Sequence, residues 1–451
     1  MMRRILTILV ITSVLMISVF IQALAADATT VKMVFWPGPE AEAMQKVVDY
    51  YNTNVSPESG VKVEMVLFGR EGFFEKEATI LAGGSSEVDM IFTTSYIIEQ
   101  HAPYFESLNE YYANPDLVGE GKKELFINSV TQGFTMDGNL YTVPTDASIT
   151  VLLYRKDLIN RLISDASWRE KYMALAKEEL GIDLEPKYPA NWNWDDFYVT
   201  CLFFTKEYND ESPTKYGTAL QAKAMWPNAK IWTAILRSCN GYWFDREGMP
   251  TFNTPEALKA INMYVNLMKK EAASPGSVNY EYNGPNEAMK TENAAMILQW
   301  GVAFNELSNQ EKAPLIWDKV AIAPYPAGPF GHTCWLTSMG VGLSKFSKVK
   351  EESFKWLAFL STQEAMSIYG KNGGVPPVTE VLSELGKEDV IFRYVEDYLK
   401  NYAFNYSGTS GVKTLDILRI LSTNISAACA LTVTSEEALK DTQDQINQLL
   451  K

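Results

Sequence analysis

The stretch Val31-Lys-Met-Val-Phe-Trp36 is apolar at all but one position and predicts a short strand. Residues 41–51 follow with apolar side chains at helical spacing, and residues 61–67 show the period-two alternation of a strand. A further helix over 73–81 and a strand over 88–92 come next. This alternation predicts the α/β class, with an open parallel sheet that carries helices on both faces.

The middle of the chain is predicted to be mainly helical, and several helix starts carry capping signals. Asn193, Thr254 and Thr434 each stand where a capping side chain opens a helix. Thr434 also forms a capping box with Glu437. In the terminal helix that this box opens, we expect Leu450 to face inward with the other apolar side chains.

The composition is that of a globular protein and excludes several classes of function. The 451 residues favour two large domains or about three smaller ones, and 47% hydrophobic with 21% charged residues rules out wholesale disorder. The net charge of -15 repels phosphate backbones, so we expect no nucleic-acid partner. With His101 and His332 as the only histidines, we expect no metal site and no histidine-centred triad.

Motifs for phosphate, cofactor and nucleophile chemistry are missing from the sequence. It contains no G-x-x-x-x-G-K-[ST] loop, no G-x-G-x-x-G after a strand and no G-x-S-x-G elbow. We therefore expect no cofactor and no catalytic residues. The cysteines form no C-x-x-C pair, so that disulfide bonding and buried free thiols both stay open for Cys201, Cys239, Cys334 and Cys429.

Residues 1–25 have the three parts of a secretory signal peptide. Arg3 and Arg4 precede an apolar stretch over 5–21, and Ala-Leu-Ala at 23–25 forms a cleavage site. An uncleaved membrane anchor is the alternative, which the polar residues within the stretch and the Ala-x-Ala ending disfavour. Since the first cysteine is Cys201, we expect no lipid anchor at the cleavage point. The predicted location is periplasmic or extracellular.

The 11 tryptophans are the first pointer to a ligand. Some lie inside helical patterns, where core packing is the default. Trp36, Trp226, Trp300 and Trp335 lie instead at strand ends, before a proline or between glycines. Ligands of open α/β sheets bind outside the carboxyl ends of the strands, and aromatic rings placed there stack on the C–H faces of sugar rings. As a set, these four tryptophans favour ligand contact.

Several blocks of the chain, taken together and in order, resemble the extracellular solute-binding proteins of ABC importers, the family-one group that includes maltose-binding protein. No single block is specific, but the ordered set spans nearly the whole mature chain. The blocks are residues 31–36, 60–66, 81–92, 137–144, 151–157, 191–197, 293–300, 323–329, 353–360 and 436–441.

The resemblance implies a two-lobe periplasmic-binding-protein fold of type II. Each lobe would be an α/β sheet flanked by helices, with the ligand cleft between the lobes. Lobe 1 would comprise residues 26–147 and 341–390, and lobe 2 would comprise residues 148–340 and 391–451. The chain crossings between the lobes would act as hinges.

The resemblance also implies which residues contact the ligand. Trp36 and Glu40 occupy positions near the first strand that face the cleft in such proteins. Ser148 corresponds to a contact at the first hinge, and Trp300, with Gly301 beside it, to the stacking aromatic of the second lobe.

Two further sets of residues complete the predicted site. The first follows the third predicted strand, at positions that bear sugar contacts in members of the family: Thr93, Thr94 and Tyr96. The second rests on loop position and side-chain chemistry: Arg70, Asp146, Trp226 and Trp335.

The function that follows is reversible binding of a sugar, sugar derivative or polyol, with delivery to the permease subunits of an ABC importer and their ATPase. We expect a monomer that is not an enzyme. The alternative is a secreted carbohydrate-active enzyme, such as a glycoside hydrolase, whose cleft would also be aromatic but which needs paired carboxylates at the bond that is cleaved.

Overall fold

The computed structural model describes residues 28–404 and 413–451, which form a mixed α/β structure. Its strands are β1 (Thr29–Phe35), β2 (Val61–Leu67), β3 (Met90–Thr94), β4 (Thr135–Met136), β5 (Asn139–Leu140), β6 (Thr142–Arg155), β7 (Tyr216–Thr218), β8 (Ala294–Trp300), β9 (Val320–Ala323), β10 (Cys334–Leu343) and β11 (Ala403–Phe404).

The helices alternate with these strands and outnumber them. They are α1 (Pro39–Asn54), α2 (Ser56–Ser59), α3 (Phe73–Ala82), α4 (Ile98–His101), α5 (Asn109–Tyr112), α6 (Pro115–Val118), α7 (Asn128–Gln132), α8 (Lys156–Ser164), α9 (Ala166–Leu180), α10 (Trp194–Phe203), α11 (Trp226–Ser238), α12 (Pro255–Lys269), α13 (Asn283–Lys290), α14 (Ala303–Leu307), α15 (Lys350–Leu360), α16 (Gln363–Lys371), α17 (Thr379–Leu385), α18 (Val390–Asn401), α19 (Thr414–Cys429) and α20 (Ser435–Leu449).

Nine strands form one sheet in the order β2-β1-β3-β10-β6-β8-β7, with β11 added to β10 and β9 to β6. The first three strands run parallel, as their alternation with helices predicts. The centre of the sheet differs from that prediction, because β10 pairs antiparallel with both β3 and β6. Strand β10 pairs with β6 across almost two hundred residues of sequence, which short-range patterns do not reveal.

Strands β6 and β10 are long enough to belong to both ends of the sheet. The first part of β6, up to Ile149, pairs with β10, and the part from Thr150 onward pairs with β8 and β9. The register between β6 and β10 shifts at Met339 and Gly340. A Cβ on Gly340 would lie 2.8 Å from the backbone oxygen of Val143, so only glycine allows this close approach.

The shared strands divide the molecule into two halves. The first half contains β1, β2 and β3, with α1 and α15 packed on them and α16 packed on α1. The second half contains β7, β8 and β9, together with the helical group α9 to α12, α19 and α20. Each half is therefore a sheet covered by helices, and the gap between the halves lies beside β6 and β10.

The predicted capping signals are confirmed. Asn193 accepts hydrogen bonds from the first turn of α10, and Thr434 forms the expected capping box with Glu437 at the start of α20. The Thr254 side chain caps α12. One detail of the terminal helix is wrong: Leu450 lies at its end with 41% of its surface exposed.

Two further expectations have outcomes in the described ranges. All four cysteines are buried free thiols, which resolves the alternative left open by the sequence. Across the same ranges we find no helix with the length and apolar character that a bilayer crossing demands. The predicted signal peptide at residues 1–25 lies outside the described residues.

Helix α3 contains a buried acidic side chain that has no hydrogen-bond partner among the described residues. Glu77 is fully buried, and neither carboxylate oxygen has a hydrogen-bond partner within the described residues. Burial disfavours the charged form and raises the pKa of Glu77 well above its ordinary value of 4.5. The folded protein therefore retains this proton at pH values where the unfolded chain releases it.

Replacement of Glu77 by Gln should stabilise the protein increasingly as pH rises. Below pH 4.5 the acid is protonated in both folded and unfolded chains, so the two proteins differ little. Above it, wild type loses stability because its folded state favours the protonated form, whereas Gln does not titrate. We expect a gain of about 1–3 kcal/mol in the free energy of unfolding at pH 8.

Urea denaturation at pH 5 and pH 8 measures this gain. Glu87→Gln is the control, since it removes an exposed carboxylate of the same half. A difference between Glu77→Gln and wild type that stays constant from pH 5 to pH 8 would contradict the assignment of a buried, protonated acid.

Candidate functional site

A small chamber of about 20 Å³ lies between the two halves, beside β6 and β10. Both halves and both shared strands contribute to its wall. The lining residues are Trp36, Pro39, Glu40, Arg70, Ser148, Trp226, Lys230, Tyr282, Trp300, Val302, Thr337 and Met339.

The chamber is the narrow centre of a continuous cleft. A hollow of about 710 Å³ opens on one side and shares Pro39, Tyr282 and Val302 with the chamber wall. A second hollow of about 390 Å³ opens on the other side and shares Arg70 and Trp226. The halves are therefore closest at the chamber and separate toward solvent on both sides.

Strand ends and one helix start position the principal side chains. Trp36 follows β1 directly, Trp300 is the last residue of β8, and Ser148 lies in β6 where the pairing passes from one half to the other. Trp226 and Lys230 lie four residues apart at the start of α11, so they share one face of that helix. The site therefore lies at the carboxyl ends of strands, as expected for an open α/β sheet.

Two tryptophans face each other across the cleft. The rings of Trp36, from the first half, and Trp226, from the second, are parallel within 5° with centroids 6.0 Å apart. A sugar ring between them would require a spacing of about 7–8 Å, twice the optimal separation of carbon atoms in contact. The structure thus shows the halves closed onto each other, and they must separate before a ring enters.

Arg70 and Glu40 line one side of the chamber, and Glu281 lies behind Arg70 as its ion-pair partner. Arg70 lies over the Trp36 ring, 4.7 Å from its centroid, and its guanidinium is 3.6 Å from a carboxylate oxygen of Glu281. Glu40 is buried beside them. Burial raises the pKa of Glu40, and the Arg70 charge partly opposes that rise.

Lys230 is the charged group on the opposite side. It is 1% exposed, and its ammonium lies 3.5 Å from the centroid of the Tyr96 ring and 4.2 Å from that of Trp226. Burial, with the positive charge of Arg70 adding to it, holds the pKa of the Lys230 amine well below its ordinary value. The aromatic faces stabilise the charged form through cation–π contacts.

The structure brings together six of the predicted contact residues in the chamber wall: Trp36, Glu40, Arg70, Ser148, Trp226 and Trp300. Tyr96 borders them, since its ring contacts both Lys230 and Trp226. Whether these side chains bind a ligand stays a prediction.

Besides Tyr96, five of the predicted contact residues do not line the chamber. The Thr93 hydroxyl is hydrogen-bonded to His101 at 2.9 Å, and Thr94 lies in β3 opposite Met339. Asp146 accepts hydrogen bonds from the Tyr369 hydroxyl and the Val375 amide. These groups serve the packing of the first half and of the shared strands.

The other two of the five lie behind the wall in the second half. The Gly301 amide donates to the carbonyl of Ile149, which ties it to β6. Trp335 is fully buried, and its indole N–H donates to the Thr337 hydroxyl, so it supports a lining residue from behind.

Sequence reasoning missed part of the chamber wall, most notably Lys230. Its position four residues after Trp226 was a usable signal, because that spacing places both side chains on one helical face. Tyr282, Thr337 and Met339 had no comparable signal, since their position depends on how the two halves meet. In the described ranges no cluster of three or more His, Cys, Asp or Glu side chains could hold a metal ion.

Within the described part of the chain, three ion pairs link the halves across the cleft. Arg70 pairs with Glu281 at 3.6 Å, and Lys312 pairs with Glu42 at 3.6 Å. Arg419 of α19 pairs with Glu75 of α3. These pairs lie along the cleft, where their strength falls with salt.

A family model described as bacterial extracellular solute-binding protein matches residues 37–367. The chain belongs to this family. The match includes the shared strands and parts of both halves, and it confirms the resemblance found in the sequence.

Curated relatives of this solute-binding protein have low sequence identity to it but align with most of its length. A Brucella abortus (strain 2308) protein named as a binding protein is 24% identical over 370 residues, which are 81% of this chain and 80% of that protein. The Sinorhizobium fredii protein named "Probable amino-acid ABC transporter periplasmic-binding protein y4oP" is 22% identical over 423 residues, 92% of this chain and 88% of its own.

Solved structures show the same fold. Maltose-bound MalE3 of T. maritima superimposes with a TM-score of 0.76 at 20% identity, covering 94% of this chain and all of that one. An ABC transporter solute-binding protein of Agrobacterium vitis S4 with bound D-mannitol gives 0.75 at 21% identity, covering 94% and 98%. The solute-binding protein thus has the predicted two-lobe periplasmic-binding-protein fold, and its two halves are the lobes.

Removal of the ion pairs between the lobes should open the ligand-free protein. In the double variant Lys312→Gln with Arg419→Gln, we expect the closed state to lose about 1 kcal/mol, roughly a fivefold shift toward the open state. Small-angle scattering at low salt should then report a larger radius of gyration.

The double variant Lys440→Gln with Lys387→Gln is the matched control, because those pairs join neighbours within one segment. An unchanged radius in the first variant, or the same increase in the control, would show that these pairs do not hold the lobes together.

Proposed function

We propose that this solute-binding protein is the substrate-binding component of an ABC importer, binding a sugar, sugar derivative or polyol between its lobes. One observation carries the proposal: Trp36 and Trp226 present parallel rings from opposite lobes in a cleft that also holds polar groups. Such rings stack on the apolar faces of a sugar, and the polar side chains bind its hydroxyl groups. The maltose and D-mannitol held by its structural neighbours support this ligand class.

Each polar group of the chamber has a role that fits hydroxyl recognition. Glu40 accepts, Arg70 donates, and the hydroxyls of Ser148 and Thr337 do either. An analogue that lacks one hydroxyl leaves a buried polar group without a partner, at a cost of about 1–3 kcal/mol. Selectivity among related sugars follows from this cost.

Closure of the lobes couples binding to transport. The ligand contacts both lobes only when they are close, so it favours the closed state by its differential affinity. We propose the lobe boundaries predicted from the sequence, 26–147 with 341–390 and 148–340 with 391–451. The change of strand pairing at Ile149 and Thr150 and the register shift at Met339 support them.

The proposal includes the protein's setting. The monomeric chain would be exported through its signal peptide at 1–25 and would meet its ligand in the periplasm or outside the cell. Its partner would be the permease of the importer, which would recognise the closed lobes. The ligand would leave chemically unchanged, since Glu40 and Glu281 both border Arg70 and do not flank a free space as paired hydrolytic carboxylates do.

Ligand binding should compact the open state of the protein without any turnover. A thermal-shift screen against sugars, sugar acids, polyols and amino acids identifies the ligand, because a tight ligand raises the melting temperature by mass action. Saturating ligand should lower the radius of gyration of the double variant Lys312→Gln with Arg419→Gln, because the ligand draws its open lobes together. Small-angle scattering of this variant with and without ligand measures the change.

Chromatography of the recovered ligand completes this test. An unaltered ligand with compaction fits a transport protein. Hydrolysis of an oligosaccharide by the purified chain would favour the glycoside hydrolase instead, and binding of amino acids alone would overturn the ligand class.

The substitution Trp300→Ala should weaken binding by about 10- to 100-fold, as loss of a central aromatic contact does. Trp300 closes the second-lobe side of the chamber, with only 7% of its surface exposed. Isothermal titration calorimetry measures the change, and circular dichroism checks the fold. Trp317→Ala is the control because Trp317 is an exposed tryptophan outside the cleft; equal effects of both variants would remove Trp300 from the site.

A further inference from the structure

The Lys230 ammonium is buried in the chamber without a negative partner. Its neighbours are ring faces: Tyr96 at 3.5 Å, Trp226 at 4.2 Å and Trp300 at 5.6 Å. Among the described residues no carboxylate pairs with it, and the one charge that acts on it is the positive charge of Arg70. A buried cation without a counterion is rare in proteins because desolvation is costly.

The two acidic side chains near the chamber, Glu40 and Glu281, already interact with Arg70 on the side opposite Lys230. Glu281 pairs with Arg70 at 3.6 Å, and Glu40 is stabilised by the same guanidinium. Lys230 is therefore the cationic side chain of the chamber that no acid among the described residues stabilises, which is why burial lowers its pKa. It lies inside a chain whose net charge is -15, where excess positive charge is not a general property of the surface.

The start of α11 adds to this local positive potential. Trp226 and Lys230 belong to its first turns, so the amino end of a 13-residue helix borders the chamber. Pro227 has no amide hydrogen and the Asn228 amide donates to the Met225 carbonyl, so it is the dipole of this helix that makes its amino end favourable for a negative charge. Two independent features, the buried ammonium and the helix end, thus favour a negative group at the same place.

We infer that the natural ligand is a sugar acid, a polyhydroxylated molecule with one carboxylate that pairs with Lys230. This inference rests on the proposed function and narrows its ligand class. The carboxylate would lie between the Lys230 ammonium and the start of α11, while the sugar ring would lie between Trp36 and Trp226. The hydroxyl groups would face Glu40, Arg70 and Ser148.

The balance of charge distinguishes a carboxylate from a phosphate ester. A carboxylate carries one negative charge, which matches the single charge of the protonated Lys230 side chain, the cation left without an acid partner among the described residues. A phosphate ester carries about -1.5 to -2 near neutral pH. Because Arg70 already faces two acids, Lys230 is the cation that remains for the ligand, and the additional negative charge of a phosphate would lie in a closed chamber without a partner.

Matched pairs of ligands test the inference on the purified protein. Calorimetry compares D-glucuronate with D-glucose, D-galacturonate with D-galactose, and D-gluconate with D-glucitol, at one ionic strength. In at least one pair the acid should bind about 10- to 100-fold more tightly, the range of a hydrogen bond to a charged group. Glucose 6-phosphate tests whether the site prefers a phosphate ester. A panel of amino acids tests whether it prefers a zwitterion.

Variants of Lys230 assign the preference to this side chain. Lys230→Met should abolish the preference for the acid, whereas Lys230→Arg should retain it because the charge remains. Lys259→Met is the control, since it removes an exposed charge from α12 in the same lobe. The comparison within the wild-type protein stands even if Lys230→Met does not fold.

Three results would overturn the inference. One is tight binding of neutral sugars with no gain for any acid, which leaves the proposed function in place. Another is tighter binding of the phosphate or of amino acids than of every sugar acid. The third is a preference for the acid that survives in Lys230→Met. If no ligand binds at all, the proposed function falls together with the inference.

Discussion

The antiparallel pairing of β6 with β10 is the constraint on which the cleft depends. Both strands pass through the whole molecule, so each lobe completes its own sheet with part of a strand that the other lobe also uses. The backbone hydrogen bonds between β6 and β10 keep the two lobes joined along one edge. The angle between the lobes can still change about that edge. The shift of register at Met339 and Gly340 interrupts these hydrogen bonds at the point where bending is needed.

The contacts across the cleft are of a different kind from these backbone hydrogen bonds. Among the described residues they include a parallel pair of rings, further ring and cation–π contacts of Trp226 and Lys230 with Tyr96, and three ion pairs along the gap. Each is worth about 1 kcal/mol or less in water-exposed settings. Closure is therefore weakly favoured without a ligand, and a molecule that contacts both lobes can decide the equilibrium. The chamber has its shape only in the closed state, because its wall comes from both sides.

The sequence was sufficient for those parts of the structure that local patterns determine. The strand and helix alternation of the first lobe and the caps at Asn193, Thr254 and Thr434 all follow from side chains within a few residues of each other. The central antiparallel strands were not predictable in this way, since β6 and β10 pair across almost two hundred residues. The same limit explains the site. Trp36 and Trp226 were recognisable as aromatics at element ends, whereas Thr337 and Met339 reach the chamber only through that long-range pairing.

The isolated charge of Lys230 connects recognition to closure. When the lobes separate, water reaches the ammonium and its hydration energy is recovered, so that an empty closed chamber is penalised by desolvation. Cation–π contacts with Tyr96 and Trp226 offset part of that penalty, about 2 kcal/mol in a desolvated setting. A neutral ligand adds hydrogen bonds but no counterion, whereas a carboxylate would pair with the Lys230 amine and favour its protonated form. The same group that selects an anionic ligand would therefore make lobe closure most favourable when that ligand is bound.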